Sequence, residues 1–180
     1  MSPLLLLGLA LTAAAPATSW QLGVDAPVGL RSLAGAASDS AEIGLTGGVR
    51  GSIAYAPAPC VLALDVAVRA ALPDQRGTSQ VQLVAQQAWL SLGGRAGWLA
   101  QARGFAIEPF WFARVDASAR WRTIRVGAVA QSALQPLVGV GSGAGWSVGR
   151  DRWRLRLDVG SAIDRRGPAF VAELAFGYVW

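Results

Sequence analysis

Apolar and polar residues alternate along most of this chain with a period of two, the spacing of an extended strand. The last eleven residues show it best. Phe170, Ala172, Leu174, Phe176, Tyr178 and Trp180 fall on one face, and Val171, Glu173, Ala175, Gly177 and Val179 on the other. Residues 41–55 repeat the pattern, with Ile43, Leu45, Val49, Ile53 and Tyr55 opposite Glu42, Thr46, Arg50 and Ser52. Leu62, Leu64, Val66 and Val68 oppose Asp65 and Arg69, while Trp153, Leu155, Leu157 and Val159 oppose Arg154, Arg156 and Asp158. No helical period persists over several turns. The pattern predicts an all-β chain.

Turn chemistry divides that chain further. Residues 31–40 and 73–79 read as polar loops, and Ala56–Pro59 as a turn, because proline cannot donate to a strand ladder. Gly93–Ala96, Glu108-Pro109, Asp116–Arg120, Gln135-Pro136, Gly149–Asp151 and Asp164–Pro168 are the other predicted breaks. The turn at residues 116–120 contains neither Gly nor Pro and rests on an internal echo. Arg120–Gly127 (RWRTIRVG) resembles Arg152–Gly160 (RWRLRLDVG), whose second copy begins a strand after a turn. A slip of phase near Gln86-Gln87 suggests a bulge. This parse yields ten strands, with eight as the alternative in which residues 108–135 become one large outer loop.

Which face looks inward decides the class. The charged residues share their face with glycines and small residues, which suits a crowded interior, and the apolar face then looks outward. The expected fold is an antiparallel up-and-down transmembrane β-barrel with its apolar face toward lipid. A secreted soluble lipocalin-like barrel is the rival, but it needs an apolar lumen and a charged exterior. An even strand count returns both chain ends to one side. The short turns at 56–59, 93–96, 116–120 and 149–151 would then be periplasmic, and the longer loops at 31–40 and 73–79 outer. Trp20, Tyr55, Trp89, Trp98, Trp121, Trp146 and Trp153 lie near predicted periplasmic strand ends, with Trp111 at an outer end. Aromatic rings gathered at one level are expected to form an interface girdle.

The N-terminus carries a different signal. Met1–Ser19 has no charged side chain, Leu4–Ala15 is its most apolar part, and Ala15-Pro16-Ala17 fits a signal peptidase site. Residues 1–17 are expected to be a signal peptide and residues 18–180 the barrel, although no Lys or Arg precedes the apolar run.

Charge and composition then narrow the chemistry. The net charge is +5, and all 16 basic residues are arginine. They are interspersed with Asp and Glu rather than gathered in a patch, which argues against nucleic-acid binding. The single Cys60 excludes an internal disulfide. With neither His nor Lys, the usual neutral-pH proton shuttles are missing, so no enzyme activity, metal or cofactor is expected. Gly139–Gly145 (GVGSGAG) has no Lys-Ser/Thr or helix after it, and reads as close strand packing rather than a phosphate loop.

The inward face should present Glu42, Arg50, Asp65, Arg69, Gln101, Arg103, Arg125, Arg154, Arg156, Asp158 and Glu173 to the lumen. A small barrel has a narrow interior largely filled by side chains. Paired Arg and Asp/Glu would plug it; the alternative is a narrow, Arg-lined pore favouring small anions. The functional expectation is therefore a structural or interaction role, with such a pore as the alternative and a ligand-binding soluble barrel as the second.

The signal-like Leu4–Ala17, the continuous alternation and the closing Phe170-x-Ala-x-Leu-x-Phe-x-Tyr-x-Trp180 together resemble the small bacterial outer-membrane barrels of the OmpA- and OmpX-like group. The resemblance is one of pattern and spans nearly the whole chain. It implies location in the bacterial outer membrane, contact with its lipid, and recognition of Leu174, Phe176, Tyr178 and Trp180 by the barrel assembly machinery. Members commonly end on Phe, so Trp180 is a mild departure.

Overall fold

The computed structural model describes residues 19–33, 42–57, 59–78, 80–165 and 167–180. The signal-peptide expectation lies outside the described residues. Among the described residues ten strands form one antiparallel sheet. They are β1 (Ser19–Leu33), β2 (Glu42–Ala56), β3 (Cys60–Ala71), β4 (Asp74–Gly77), β5 (Val81–Trp98), β6 (Ala100–Ala102), β7 (Phe105–Val126), β8 (Val129–Arg150), β9 (Trp153–Asp164) and β10 (Gly167–Val179).

Eight of these close a ring. Strands β5, β3, β2, β1, β10, β9, β8 and β7 pair in that order, and β7 returns to β5 along Val81↔Val126 to Gly97↔Phe110. The short β4 and β6 are additions on β5 and β7. Ser19 and Trp180 lie at one end, the near end, with the end of β2, the start of β3 and the turns at 103–104 and 151–152. The far end carries the turn at Gly127-Ala128 and the C-terminal ends of β1, β3 and β9.

The ring is reached by a different parse from the one turn composition predicts. Gly93–Ala96 lies inside β5, Glu108-Pro109 and Asp116–Arg120 inside β7, and Gln135-Pro136 inside β8. Between the predicted breaks at Gly93–Ala96 and Glu108-Pro109, where one strand is expected, the chain ends β5 at Trp98, adds the short β6 and turns into β7 at Arg103 and Gly104, which take left-handed φ of 51° and 81°. Arg120–Leu134 is interrupted at Gly127, whose φ is 57°. The predicted outer loop of the eight-strand alternative is in fact most of two long strands.

The physical reasons are local. A Cβ on Gly93 would stand 2.6 Å from the Ala113 carbonyl oxygen and 2.8 Å from the Arg114 Cβ, so glycine there makes room across the wall instead of turning the chain. The prolines sit where a ladder is missing. Pro136 precedes the β8–β9 pairing, which begins at Val140↔Ile163, and Pro109 lies just beyond the last β5–β7 pair. Pro27 falls in the gap of the β1–β2 ladder between Asp25↔Arg50 and Val28↔Gly47. At Gln86-Gln87 β5 keeps its own phase and pairs with β7 without a break, while on its other side the ladder is interrupted there, residues 71–73 lying opposite the two glutamines. The slip is one of residue type: Trp89 faces inward and Gln86 outward.

Burial runs opposite to that of a water-soluble sheet. On β3, Leu62, Leu64, Val66 and Val68 are exposed, while Val61, Ala63, Ala67, Arg69 and Ala71 are buried. The same holds on β9, where Arg156 and Asp158 are buried and Leu155 and Leu157 exposed. The buried face holds charge; the exposed face holds hydrocarbon.

Candidate functional site

The interior of the ring is a network of arginines and carboxylates. One chain of alternating charge begins at Arg154, whose Nη1 lies 3.4 Å from Glu108 Oε2. Arg95 Nε donates to Glu108 Oε1 at 3.1 Å and its Nη1 to Asp65 Oδ1 at 3.4 Å. Arg156 Nη1 donates to Asp65 Oδ2 at 2.8 Å and its Nε to Asp158 Oδ1 at 2.7 Å. Arg50 completes it, with Nη1 donating to Asp158 Oδ2 at 2.5 Å and Nε to Asp25 Oδ1 at 2.8 Å. Four positive and four negative side chains from six strands thus balance.

A second cluster lies toward the far end. Arg69 Nη2 donates to Glu173 Oε2 at 2.9 Å and its Nη1 to Ser91 Oγ at 2.8 Å. Ser91 Oγ in turn donates to Asp116 Oδ1 at 2.7 Å, and Arg31 Nη1 donates to Asp116 Oδ2 at 3.1 Å. Arg114 lies between the two carboxylates, with Nη1 3.6 Å from Glu173 and Nε 3.3 Å from Asp116. These named groups comprise three arginines and two carboxylates. Arg120 is buried beyond them.

Aromatic rings fill the space between the guanidinium groups. Phe110, 2% exposed, has Arg156 at 4.6 Å from its ring centroid and Arg95 at 5.7 Å. Arg114 stands 5.7 Å from Phe112, and Arg31 stands 5.0 Å from Trp89. A guanidinium over a ring face in a dry site is held by the ring quadrupole as well as by its ion pair. Glycines on β8 and β9 accommodate these rings: a Cβ on Gly145 would come within 2.6 Å of Phe110, and one on Gly160 within 3.1 Å of Phe112.

Of the predicted lumen residues, Arg50, Asp65, Arg69, Arg154, Arg156, Asp158 and Glu173 lie in this network. Gln101 and Arg103 do not; they are exposed on β6 and in the near-end reversal after it. Arg125 is exposed near the tip of β7, on the face opposite its buried residues. Glu42 heads β2, and its side chain is outside the described part.

Several network members escape turn-based reading because they fall in predicted breaks: Arg95, Glu108, Asp116 and Arg120. The signal that could have found them is the period itself. Glu108, Phe110, Phe112, Arg114, Asp116, Ser118 and Arg120 lie two apart on one face, and a turn placed at residues 116–120 cuts through that series. Asp25 and Arg31 likewise continue one face of β1.

The outer face carries the aromatics. Trp20, Trp98, Trp111, Trp146, Trp153 and Trp180 are exposed toward the near end. Trp20 packs on Tyr55 at 5.0 Å between centroids, and Trp153 meets Phe176 and Tyr178, each at 5.1 Å. Three positions differ from expectation. Trp111 belongs to the near-end group, since it pairs with Ala96 two residues before the end of β5. Trp121 lies toward the far end, opposite Gln86 and Leu134. Trp89 is 2% exposed and belongs to the lumen. Leu174, Phe176 and Trp180 face outward on and just after β10, with Tyr178 partly covered.

No protein-family model matches the chain, and no curated protein matches it. Solved structures do. Ail, the attachment invasion locus protein of Yersinia pestis, superposes with a TM-score of 0.54 at 9% identity, covering 91% of this chain and 99% of Ail. Neisserial surface protein A (NspA) gives 0.51 at 16% identity, covering 90% and 97%. A major outer membrane protein from Thermus thermophilus gives 0.52 at 14% identity, covering 90% and 100%. The fold is that of the small outer-membrane β-barrels. At these identities it is the architecture that is shared, and this barrel's lumen network must be read on its own residues. Among the described residues no group of three or more His, Cys, Asp or Glu could hold a metal ion, and each lumen carboxylate of the two clusters faces an arginine.

Proposed function

We propose that this protein is a bacterial outer-membrane β-barrel with a structural or interaction role, its lumen closed by Arg–Asp/Glu pairs. The observation that carries the reading is the inverted burial. Arg50, Arg69, Arg156, Asp158 and Glu173 are at most 5% exposed, while Leu64, Val68, Trp146 and Val138 are each more than 55% exposed. A surface of that kind around the whole ring is far larger than the apolar patches soluble monomers tolerate, and hydrocarbon is the solvent that suits it.

The dimensions agree. Strands β3 and β9 have 12 residues each and β10 has 13. At roughly 3.3 Å per residue and a tilt of about 40°, such strands cover the roughly 30 Å hydrocarbon core. The near-end aromatics would lie at the periplasmic interface, because both termini belong on that side. Outward-facing Leu174, Phe176, Tyr178 and Trp180 on the closing strand are the residues proposed to meet the assembly machinery.

Membrane fractionation followed by a heated-versus-unheated gel shift tests the reading. A band in the outer-membrane fraction that migrates faster unheated is the expected result. Recovery as a soluble secreted species would overturn it in favour of a ligand-binding barrel. A narrow anion-favouring pore is the second reading, supported by the buried arginines Arg31, Arg50, Arg69, Arg114 and Arg156 inside the ring. Stepwise conductance in planar bilayers with anion preference would replace the closed lumen with that pore.

A further inference from the structure

We propose that the near-end rim binds the headgroup of one anionic phospholipid, between the reversal at residues 103–104 and the turn at residues 151–152. The β7–β8 ladder brings the two together, with Ala106 opposite Gly149. A cavity of about 370 Å³ opens between them, bounded by Phe105, Asp151, Arg152, Trp153, Arg154 and Trp180. That volume lies within the roughly 300–1,000 Å³ of ligand pockets. The proposal rests on the outer-membrane reading, which sets this rim at the periplasmic interface.

Charge selects an anion. Arg103, Arg150 and Arg152 are exposed at this rim, and none of them has an ion-pair partner among the described residues. Arg154, Glu108 and Asp25 belong to the balanced chain of the lumen and leave the count unchanged. Against the three exposed arginines stand Asp151 and the α-carboxylate of Trp180, so one positive charge remains. A zwitterionic headgroup would leave that excess in place. Its ammonium would meet one exposed side-chain carboxylate, Asp151, among three guanidinium groups. A headgroup with one net negative charge removes the excess.

The position of Arg152 selects a lipid over a dissolved anion. Its Nη1 donates to Tyr178 Oη at 3.1 Å, and Tyr178 belongs to the outward row of β10. Trp153 meets Tyr178 edge-on at 5.1 Å and stacks on Phe176, also at 5.1 Å. The guanidinium therefore stands at the head of an aromatic wall that continues toward the far end as the exposed Leu155, Leu157 and Leu174. A phosphate held by Arg152 would lay its acyl chains along that wall, whereas a free phosphate would leave the wall unused. Arginine suits the task, because its planar fork meets two phosphate oxygens at once. Arg150, 5.7 Å from the centroid of the Phe105 ring, adds a second guanidinium beside the cavity wall.

The test uses the full chain folded in detergent micelles and checked by the unheated gel shift. Native mass spectrometry then counts retained lipids as phosphatidylglycerol or phosphatidylethanolamine of the same acyl length is added. One phosphatidylglycerol should be retained at concentrations where phosphatidylethanolamine is not. Arg152→Gln and Arg150→Gln should each need about fivefold more phosphatidylglycerol, the contribution of one arginine near an anionic surface. Arg125→Gln removes an exposed arginine at the far end and should bind as the wild type does. Glycerol phosphate at the concentration of the lipid should not compete. Equal retention of the two lipids by the folded protein, or as large a loss in Arg125→Gln as in Arg152→Gln, would overturn the proposal. So would displacement by glycerol phosphate, which would make the site one for a dissolved phosphate ester. Failure of the gel shift would instead count against the barrel itself.

Discussion

The closed ring and the sheet that extends beyond it at the far end are built from the same strands, yet they treat their side chains differently. Within the ring, β7 buries Glu108, Phe110, Arg114, Asp116 and Arg120 and exposes Trp111, Val115 and Ala117. Past Arg120 the distinction disappears. From Trp121 to Pro136, across the Gly127 turn, every residue except the half-buried Thr123 is exposed, whichever face it occupies. The hydrogen-bond ladder continues unbroken from Arg120↔Gln135 to Val126↔Val129. Pairing alone therefore does not make an inside. Closure does, and a strand acquires a dry face only where the ring returns on itself.

The comparison breaks most sharply at Asp158. It accepts from both Arg50 and Arg156, and it is 2% exposed. Asp158→Ala takes one of two carboxylate partners from each of two buried guanidinium groups, leaving Arg50 only Asp25 and Arg156 only Asp65 and the network one negative charge short. A loss of about 3–5 kcal/mol is expected from urea unfolding in lipid vesicles. A loss below roughly 1 kcal/mol, the scale of an exposed pair, would mean that the lumen is wet and the ring not closed around it.

The outer wall should respond next. Val66 is exposed midway along β3, between Gly51 and Leu92. Placing arginine at a lipid-facing position near the bilayer midplane costs about 2–4 kcal/mol. Val66→Arg should show that loss in vesicles. If the variant is as stable as the parent there, the apolar face does not look into hydrocarbon, and the outer-membrane proposal fails with it.

How much of this could be read before the fold is itself explained by the ring. Alternation was legible wherever closure divides the two faces, as in Cys60–Ala71, Trp153–Asp164 and the last strand, and with it most of the lumen charges. It misled where a residue's meaning depends on a neighbour distant in sequence. Gly93 and Pro136 carry the chemistry of turns, but the first answers a crowded wall and the second an absent partner strand, whereas Gly143 meets the close strand packing its stretch predicts. Trp89 looks like a lipid-facing aromatic until Arg31, 58 positions away, is found over its ring. Arg125 has the right residue type for the lumen and lies on the opposite face, beyond the ring. The shared charge between Arg69, Glu173 and Arg114 joins three strands and has no local signature at all.

Glycines inside and outside the crowded wall sharpen the comparison at smaller magnitude. A Cβ on Gly143 would stand 2.2 Å from the Val159 carbonyl oxygen and 2.8 Å from the Phe112 ring, so backbone must move to admit it. Gly143→Ala should cost about 1–3 kcal/mol, as other overpacking changes do. A Cβ on Gly51 would meet nothing within 4 Å, and Gly51→Ala should stay within about 0.5 kcal/mol. Equal losses from the two, in one denaturation series, would show that strand flexibility and not wall crowding sets the need for glycine.

The smallest effect is expected at Ile124. It continues the face that carries Glu108, Asp116 and Arg120 deeper in the strand, but it is 47% exposed and pairs with Gln131 above the closed ring. If closure is what creates an inside, the lumen-side phase has no energetic meaning here. Ile124→Gln should then change stability by no more than about 0.5 kcal/mol, as surface substitutions usually do. The same denaturation measurement checks it beside Asp158→Ala on the same strand system. A loss of about 2 kcal/mol or more would be the signature of a buried side chain, placing a cover over the extension and moving the boundary of the inside beyond Arg120.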